Sequence, residues 1–126
     1  MVDKDSALIQ KKLQTELEHF KAAQKDFNKL VQQRQLLDGQ LNENKNVMEE
    51  LNLLKPENKV YKLYGPVLVR QELEECRQNV GKRIEYINKE LKRCQDSLTT
   101  LEKKQDKHRE NLQKLQQQYQ VAIAMK

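Results

Sequence analysis

Apolar side chains recur at alternating steps of four and three residues through the second half of the chain. Between Val80 and Ala122 only Gln105 and His108 interrupt this spacing, which is typical of the contact stripe, or seam, of a coiled coil. The spacing therefore predicts one long helix packed against a partner helix. Its seam positions are Val80, Ile84, Ile87, Leu91, Cys94, Leu98, Leu101, Gln105, His108, Leu112, Leu115, Tyr119 and Ala122.

The first half of the chain repeats the same spacing, with Glu16, Arg34 and Asn44 as polar interruptions. Polar residues in a seam cost stability but can fix the register of the two helices. Two such segments in one chain predict a mainly α fold, a long antiparallel two-helix coiled-coil hairpin. The seam positions of the first segment are Ile9, Leu13, Glu16, Phe20, Ala23, Phe27, Leu30, Arg34, Leu37, Leu41, Asn44, Met48 and Leu51.

Signals at the ends of these segments set the expected bounds. Asp5 and Ser6 are favourable N-cap residues, and Pro56 disfavours helical backbone at the residue before it. Acidic residues after Gln71 suit the first turn of a second helix. We expect a single domain over residues 1–126, with a first helix over about residues 7–54, a β-hairpin over about residues 59–69 and a second helix over about residues 71–125.

The segment between the helices favours a β-hairpin at the bend. Two β-prone runs flank a turn in which Gly65 can take a positive φ, while Pro66 has no N–H to donate to a sheet. So small a hairpin is marginal in water and has unpaired edges, so we expect it to pair with strands of other chains and complete an intersubunit β-barrel. A mere cap of the coiled coil is the alternative, but a few polar residues would suffice for it. The residues expected to assemble are Val60, Tyr61, Leu63, Gly65, Pro66, Val67, Leu68 and Val69.

Composition favours helices exposed to water over a compact core. Of the 126 residues 37% are hydrophobic and 34% are charged, and Trp is absent, so the apolar groups suffice for a seam and little more. Disorder is the competing interpretation of so polar a chain, but the sustained heptads argue against it. The apolar runs are too short for a transmembrane segment or a signal peptide, which predicts a cytoplasmic protein with no membrane partner.

The net charge of +5 is concentrated in the second half of the chain. Basic residues there, such as Lys82, Arg83 and Lys103, could contact phosphates or an acidic protein surface. They are interleaved with acidic residues such as Glu85 and Glu102, as on an ordinary solvated coiled-coil face. We therefore expect no nucleic-acid partner.

No residue pattern indicates an enzyme, a cofactor or a metal site. The chain has no glycine-rich phosphate loop, nucleophile elbow or HExxH motif. Cys76 and Cys94 lie roughly 27 Å apart along one helix, too far for a disulfide within the chain, and neither has a second Cys or His at metal-ligand spacing. Reduced thiols of this kind fit a cytosolic protein. His19 and His108 fall at a similar level of the two-helix hairpin, which suggests the hypothesis of a pH switch. Packed or solvated histidines are far more common.

Over nearly its whole length the chain resembles the prefoldin family. The single hairpin is similar to that of the β class, since α-class subunits carry two. The hairpin run is quite specific, whereas the heptads alone would match many unrelated coiled coils. The matching runs are Gln40-Leu41-Asn42-Glu43-Asn44 with Glu49-Glu50-Leu51, Val60-Tyr61-Lys62-Leu63, Gly65-Pro66-Val67-Leu68-Val69 and Asn79-Val80-Gly81-Lys82-Arg83-Ile84-Glu85-Tyr86-Ile87.

The resemblance implies a molecular chaperone that works without ATP. It implies a heterohexamer of α-class and β-class subunits, whose hairpins form a β-barrel body from which coiled coils project. Such a chaperone captures unfolded proteins, actin and tubulin in particular, and delivers them to the cytosolic group II chaperonin. A structural coiled-coil tether or a homodimerising scaffold is the alternative function.

The reversal of the chain predicts where unfolded client proteins bind. The start of the first helix and the end of the second should meet, and frayed apolar residues there, with a flexible Met among them, suit adaptable binding. Several weak contacts on one client would add up. The alternative is that these are simply the last residues of the seam. The expected client-binding residues are Leu8, Ile9 and Leu13, facing Val121, Ile123 and Met125.

Overall fold

The structure is a computed structural model that describes residues 4–125. Helix α1 (Lys4–Leu53) is followed by strands β1 (Val60–Tyr64) and β2 (Val67–Gln71) and by helix α2 (Leu73–Ala124). The predicted fold is confirmed: it is a mainly α, two-helix coiled-coil hairpin with a β-hairpin between the helices. Packing divides the described chain into two units, one of residues 4–32 with residues 95–125 and the other of residues 33–94.

The unit of residues 33–94 is packed along the predicted seam. Five of its seam positions are buried and the others are half-buried, except Arg34, which is exposed. The Cε methyl group of Met48 lies 3.7 Å from where a Cβ atom would stand at Gly81, so α1 and α2 are close together there. The residues that are at most 9% exposed are Leu37, Leu51, Val80, Ile87 and Cys94.

The unit of residues 4–32 and 95–125 has fewer buried side chains. Ser6, Ala23 and Leu98 are buried, and the other predicted seam positions of this unit are half-buried. The guanidinium group of Arg109 lies 5.9 Å from the centre of the Phe20 ring, a cation–π distance. Contacts across the helices therefore continue into this unit, but most of its seam keeps some access to water.

The start of α1 corrects the expectation drawn from capping signals. Asp5 and Ser6 lie inside the helix, which begins at Lys4, and not at its N-cap. Ser6 is only 1% exposed. It lies three residues before Ile9, so it occupies the next seam position upstream of Ile9. Packing of an amphipathic stripe supplies most of the stability of helices in proteins, and here it outweighs the preference of serine for a cap.

The other helix ends differ from the expected bounds by one or two residues. Helix α1 ends at Leu53, and α2 runs from Leu73 to Ala124. Glu72 precedes α2, and its carbonyl oxygen accepts a hydrogen bond of 3.0 Å from the Cys76 N–H, as an N-cap residue does. Within residues 4–125 neither helix has a stretch that is both long and apolar enough to cross a membrane.

The β-hairpin extends two residues beyond its expected end. The strands are antiparallel, and their register pairs Tyr64 with Val67 next to the turn and Val60 with Gln71 at the base. Gly65 takes a φ of +57°, the positive value that its position predicted, and Gly at the first of two turn residues is typical of a type II′ hairpin. The two-residue turn sets the register, so Gln71 pairs with Val60 although its side chain carries no β signal.

Leu98→Ala tests the packing of the seam. Leu98 is 6% exposed, so the substitution should lower the free energy of unfolding by about 2–5 kcal/mol. Leu101→Ala, at a half-buried position, should cost less. Leu36 is 64% exposed, so Leu36→Ala should change the free energy by only about 0.5 kcal/mol or less. Denaturation followed by circular dichroism measures all three, and equal stability of the Leu98 and Leu36 variants would contradict the pairing of the helices.

Candidate assembly and client-binding surfaces

Both faces of the β-hairpin expose apolar side chains. Leu63 and Leu68 are paired across the strands on one face, and each is 64% exposed. The other face carries Tyr64 paired with Val67, and next to them Val69, all exposed. A sheet with one solvated face normally alternates apolar and polar residues, whereas apolar residues on both faces are typical of a sheet that is covered twice. The described chain covers neither face.

The outer edges of the hairpin are open as well. Within residues 4–125 the two strands pair only with each other. In a hairpin with a two-residue turn the pair next to the turn is hydrogen-bonded, and the following pair, Leu63 with Leu68, is not. The backbone N–H and C=O groups of Leu63 and Leu68 therefore point outward, where another strand can pair with them.

Arg77 joins the ends of the two helices from which the hairpin extends. Its Nη2 atom donates a hydrogen bond of 3.0 Å to the carbonyl oxygen of Leu51, and its Nη1 atom lies 3.3 Å from Oε2 of Glu74. The last carbonyl groups of a helix lack partners within it and favour a cation. The heptad spacing does not indicate this contact, because Arg77 stands beside the seam. A signal was present, since Arg77 is a basic residue near the start of α2, opposite the last turn of α1.

The predicted client-binding residues are only partly brought together. Ile9 and Leu13 are half-buried on the seam, whereas the other four are exposed, Met125 most of all at 82%. Val121 and Met125 line an open groove beside Asp5, and Leu8 lines an adjoining groove beside Leu115. Ile123 lines neither groove. The expected facing arrangement is thus shifted, and Leu8 lies nearer the middle of the unit than Val121 and Met125 do.

A polar layer interrupts the seam of this unit. The Oε1 atom of Glu16 accepts hydrogen bonds from Nδ1 of His108 and, at 3.3 Å, from Nδ2 of Asn111. The hydrogen bond from His108 is the main cause of a lowered pKa of Glu16, which burial opposes and Asn111 supports. The rings of His19 and His108 meet edge to face, with centres 5.8 Å apart. The two histidines thus lie at one level, as the antiparallel arrangement predicted.

Two exposed arginines of α2 pair with acidic neighbours one turn away along the helix. Arg93 lies 3.2 Å from Glu90, and Arg109 lies 4.0 Å from Asp106. These pairs are exposed or partly exposed and therefore contribute little stability. They support the interpretation of this surface as a solvated coiled-coil face.

Comparison with known proteins settles the family. The family model described as prefoldin subunit matches residues 14–119. The chain belongs to the prefoldin subunit family. It is 62% identical to the probable prefoldin subunit 6 of Drosophila melanogaster over 98% of this chain and 99% of that protein. It is 52% identical to prefoldin subunit 6 of Homo sapiens over 94% of this chain and 92% of that protein.

A solved structure supports the same conclusion. The crystal structure of the prefoldin beta subunit from Thermococcus strain KS-1 matches with a TM-score of 0.59 and 26% identity, over 88% of this chain and 91% of that one. The resemblance to the β class of prefoldin is thereby confirmed, and within that class the chain is similar to the two subunit 6 relatives named above. The chain is a prefoldin chaperone subunit, which is consistent with the prediction that it is not an enzyme.

Substitutions in the polar layer test its effect on stability. Glu16→Ala removes the acceptor shared by His108 and Asn111, and it should lower the free energy of unfolding by about 1 kcal/mol. Replacing both partners of a hydrogen bond by apolar groups can be neutral or stabilising, so the double variant Glu16→Leu/His108→Leu should be at least as stable as the unaltered chain. Thermal melts give this order, with the exposed Glu18→Ala as the control. A double variant that is less stable than Glu16→Ala would show that the polar layer does not lower the stability of the paired helices.

Proposed function

We propose that this chain is a subunit of a heterohexameric, ATP-independent chaperone that captures unfolded proteins at the ends of its coiled coil. The hairpin carries the proposal, because its apolar residues are exposed on both faces and its edges are unpaired. Such a surface is a hazard for a monomer and is suited to an interface. Membership of the prefoldin subunit family supports the same assignment.

Assembly would cover the hairpin in two ways. Strands of neighbouring α-class and β-class subunits would pair with its outward backbone groups and continue the sheet into a barrel. The barrel interior and the surrounding helices would cover its two faces. The residues proposed to act are Val60, Tyr61, Leu63, Gly65, Pro66, Val67, Leu68 and Val69.

Client binding is assigned to apolar residues near the start of α1 and the end of α2. Val121 and Met125 border one open groove and Leu8 borders the next, while Ile9, Leu13 and Ile123 extend the apolar surface. Flexible and exposed side chains of this kind suit clients of varied sequence. We propose unfolded actin and tubulin as clients and the group II chaperonin as the acceptor, as the family resemblance implies.

The cysteines and the charges of α2 support the proposed location and the proposed lack of nucleic-acid and membrane partners. Cys76 is half-buried and Cys94 is buried, so both pack as small apolar residues, which supports a cytoplasmic location. The acidic residues interleaved with the basic ones along α2 support the expectation that neither nucleic acid nor a membrane is a partner.

A homodimerising scaffold is the competing function, because the open hairpin edges could also pair with a second copy of this chain. The mass of the purified chain, alone and mixed with α-class prefoldin subunits, separates the two functions. A heterohexamer formed only in the mixture supports the proposal. A stable dimer that ignores the added subunits would favour the scaffold.

Leu68→Pro tests the role of the hairpin in assembly. Proline removes the N–H group of Leu68, which points away from β1, so the variant should lose pairing with a neighbouring strand while the ladder within the hairpin persists. We expect no incorporation into the heterohexamer, measured by native mass spectrometry of mixed subunits.

The control for this variant is Leu68→Val, which keeps both the donor and an apolar side chain and should assemble normally. Circular dichroism should show that both variants remain helical. Normal hexamers with Leu68→Pro would rule out strand pairing at this edge, and Leu63→Pro applies the same test to the edge of β1.

Removing residues 121–126 tests client binding. The deletion takes Val121, Ile123 and Met125 but no hairpin residue, so the hexamer should form. At about 25 cal/mol per Å² of apolar area, roughly 100 Å² less contact weakens holding by about 2–3 kcal/mol, and other subunits mask part of this loss. Suppression of client aggregation should fall partly, and it should fall further when Leu8 and Ile9 are also changed to serine.

The matched control for this deletion changes exposed apolar residues elsewhere. Leu36→Ser and Tyr86→Ser remove side chains that are each 64% exposed, yet both lie in the unit of residues 33–94. They should leave holding unchanged. If they reduce holding and the deletion does not, in hexamers whose other subunits are similarly trimmed, clients bind along the coiled coil and not at its end.

A further inference from the structure

Three potential metal ligands meet in the unit of residues 4–32 and 95–125. Glu16 and His19 are one helical turn apart on α1, and His108 reaches them from α2. One ligand atom from each side chain, a carboxylate oxygen and two imidazole nitrogens, can be chosen so that all three lie within 4.8 Å of one another. We propose that Glu16, His19 and His108 bind one Zn²⁺ ion.

The spacing permits coordination after small movements of side chains. Zinc bonds of about 2.0–2.1 Å to nitrogen and oxygen place tetrahedral ligands roughly 3.3 Å apart. The ligand atoms therefore need to close by about 1.5 Å at most. His19 is exposed and can turn its ring toward the site without disturbing the seam. The hydrogen bond between Glu16 and His108 must break. The ion would then lie between the Glu16 carboxylate and the His108 ring.

Ligand type selects the ion. Two imidazoles and one carboxylate form a set that suits zinc and its transition-metal neighbours, and three protein ligands leave a fourth position for water. Mg²⁺ and Ca²⁺ favour oxygen ligands throughout. Asn111 already donates to Glu16, and a hydrogen bond of this kind holds a ligating carboxylate in place.

A simple hydrogen bond explains only part of this arrangement. The hydrogen bond accounts for Glu16 and His108, whose side chains are 17% and 24% exposed on the seam. It does not involve His19, which in the described structure makes no hydrogen bond to either residue. The spacing of the cysteines does not indicate this site, and the two histidines become informative only when the fold brings Glu16 beside them.

Zinc binding would fasten α1 to α2 at this level. The ion would take ligands from both helices, so it should restrain the separation of the helices in the unit that carries the proposed client-binding residues. The site is independent of the hairpin and of the chaperone function proposed above.

The test is a titration of the tag-free full chain with Zn²⁺, followed by calorimetry. We expect one ion per chain and a higher melting temperature with Zn²⁺ than with a chelator. His19→Gln is the decisive variant, since the exposed side chain can be replaced without loss of seam packing. It should weaken binding by about tenfold or more, as changes around metal sites commonly do. Glu16→Gln and His108→Gln should do the same.

Two controls separate this site from other sources of zinc binding. Glu18→Gln removes an exposed carboxylate from the same stretch of α1 and should leave the affinity unchanged. Co²⁺ in place of Zn²⁺ should give a spectrum without a thiolate charge-transfer band, which excludes Cys76 and Cys94 as ligands. No binding, binding that is unaffected by His19→Gln, or a thiolate band would each overturn the proposal.

Discussion

The narrow contact between two helices is the constraint on which the rest of this chain depends. Two helices cover only one stripe of each other, so few side chains are enclosed: Ile87, Cys94 and Leu98 are 5–6% exposed, and most seam residues are only half-buried. Each position therefore contributes less than it would in a globular core, and stability requires many of them. Water also still reaches much of the seam, so polar residues such as Glu16 and His108 can occupy it at limited cost.

The same constraint explains why the hairpin is left uncovered. A domain normally buries the apolar face of a sheet against a second layer, but the apolar stripes of these helices already pack against each other. Only Val60 and Gln71, at the base of the hairpin, are half-buried. The exposure of Leu63 and Leu68 is therefore not a packing defect that the chain could repair by itself, and it directs the proposal toward partner subunits.

The features that sequence predicted are those set by local spacing. The heptads placed the helices and their seam, and Gly65 with its β-prone neighbours placed the hairpin turn. The features that it missed depend on how one helix is aligned with the other. The Arg77 side chain reaches the Leu51 carbonyl, and Glu16 and His19 lie beside His108, only because the register makes them neighbours. Apolar heptads specify that register weakly, since one seam residue resembles the next. Ser6 was misassigned because a capping signal and a seam position coincide.

The polar layer specifies the register that the apolar heptads define only weakly. It also affects how far the apolar residues at the end of this unit are exposed. A shift of α1 by seven residues toward the C-terminus of α2 would bring Leu8 beside Val121 and cover apolar surface there. The same shift would separate Glu16 from His108 and place its carboxylate beside Leu115. An unpaired carboxylate against an apolar side chain destabilises the shifted register by more than the burial of apolar side chains at a frayed end would stabilise it. The layer thus favours the register in which Val121 and Met125 stay accessible, and accessible apolar residues are what a client-binding surface requires.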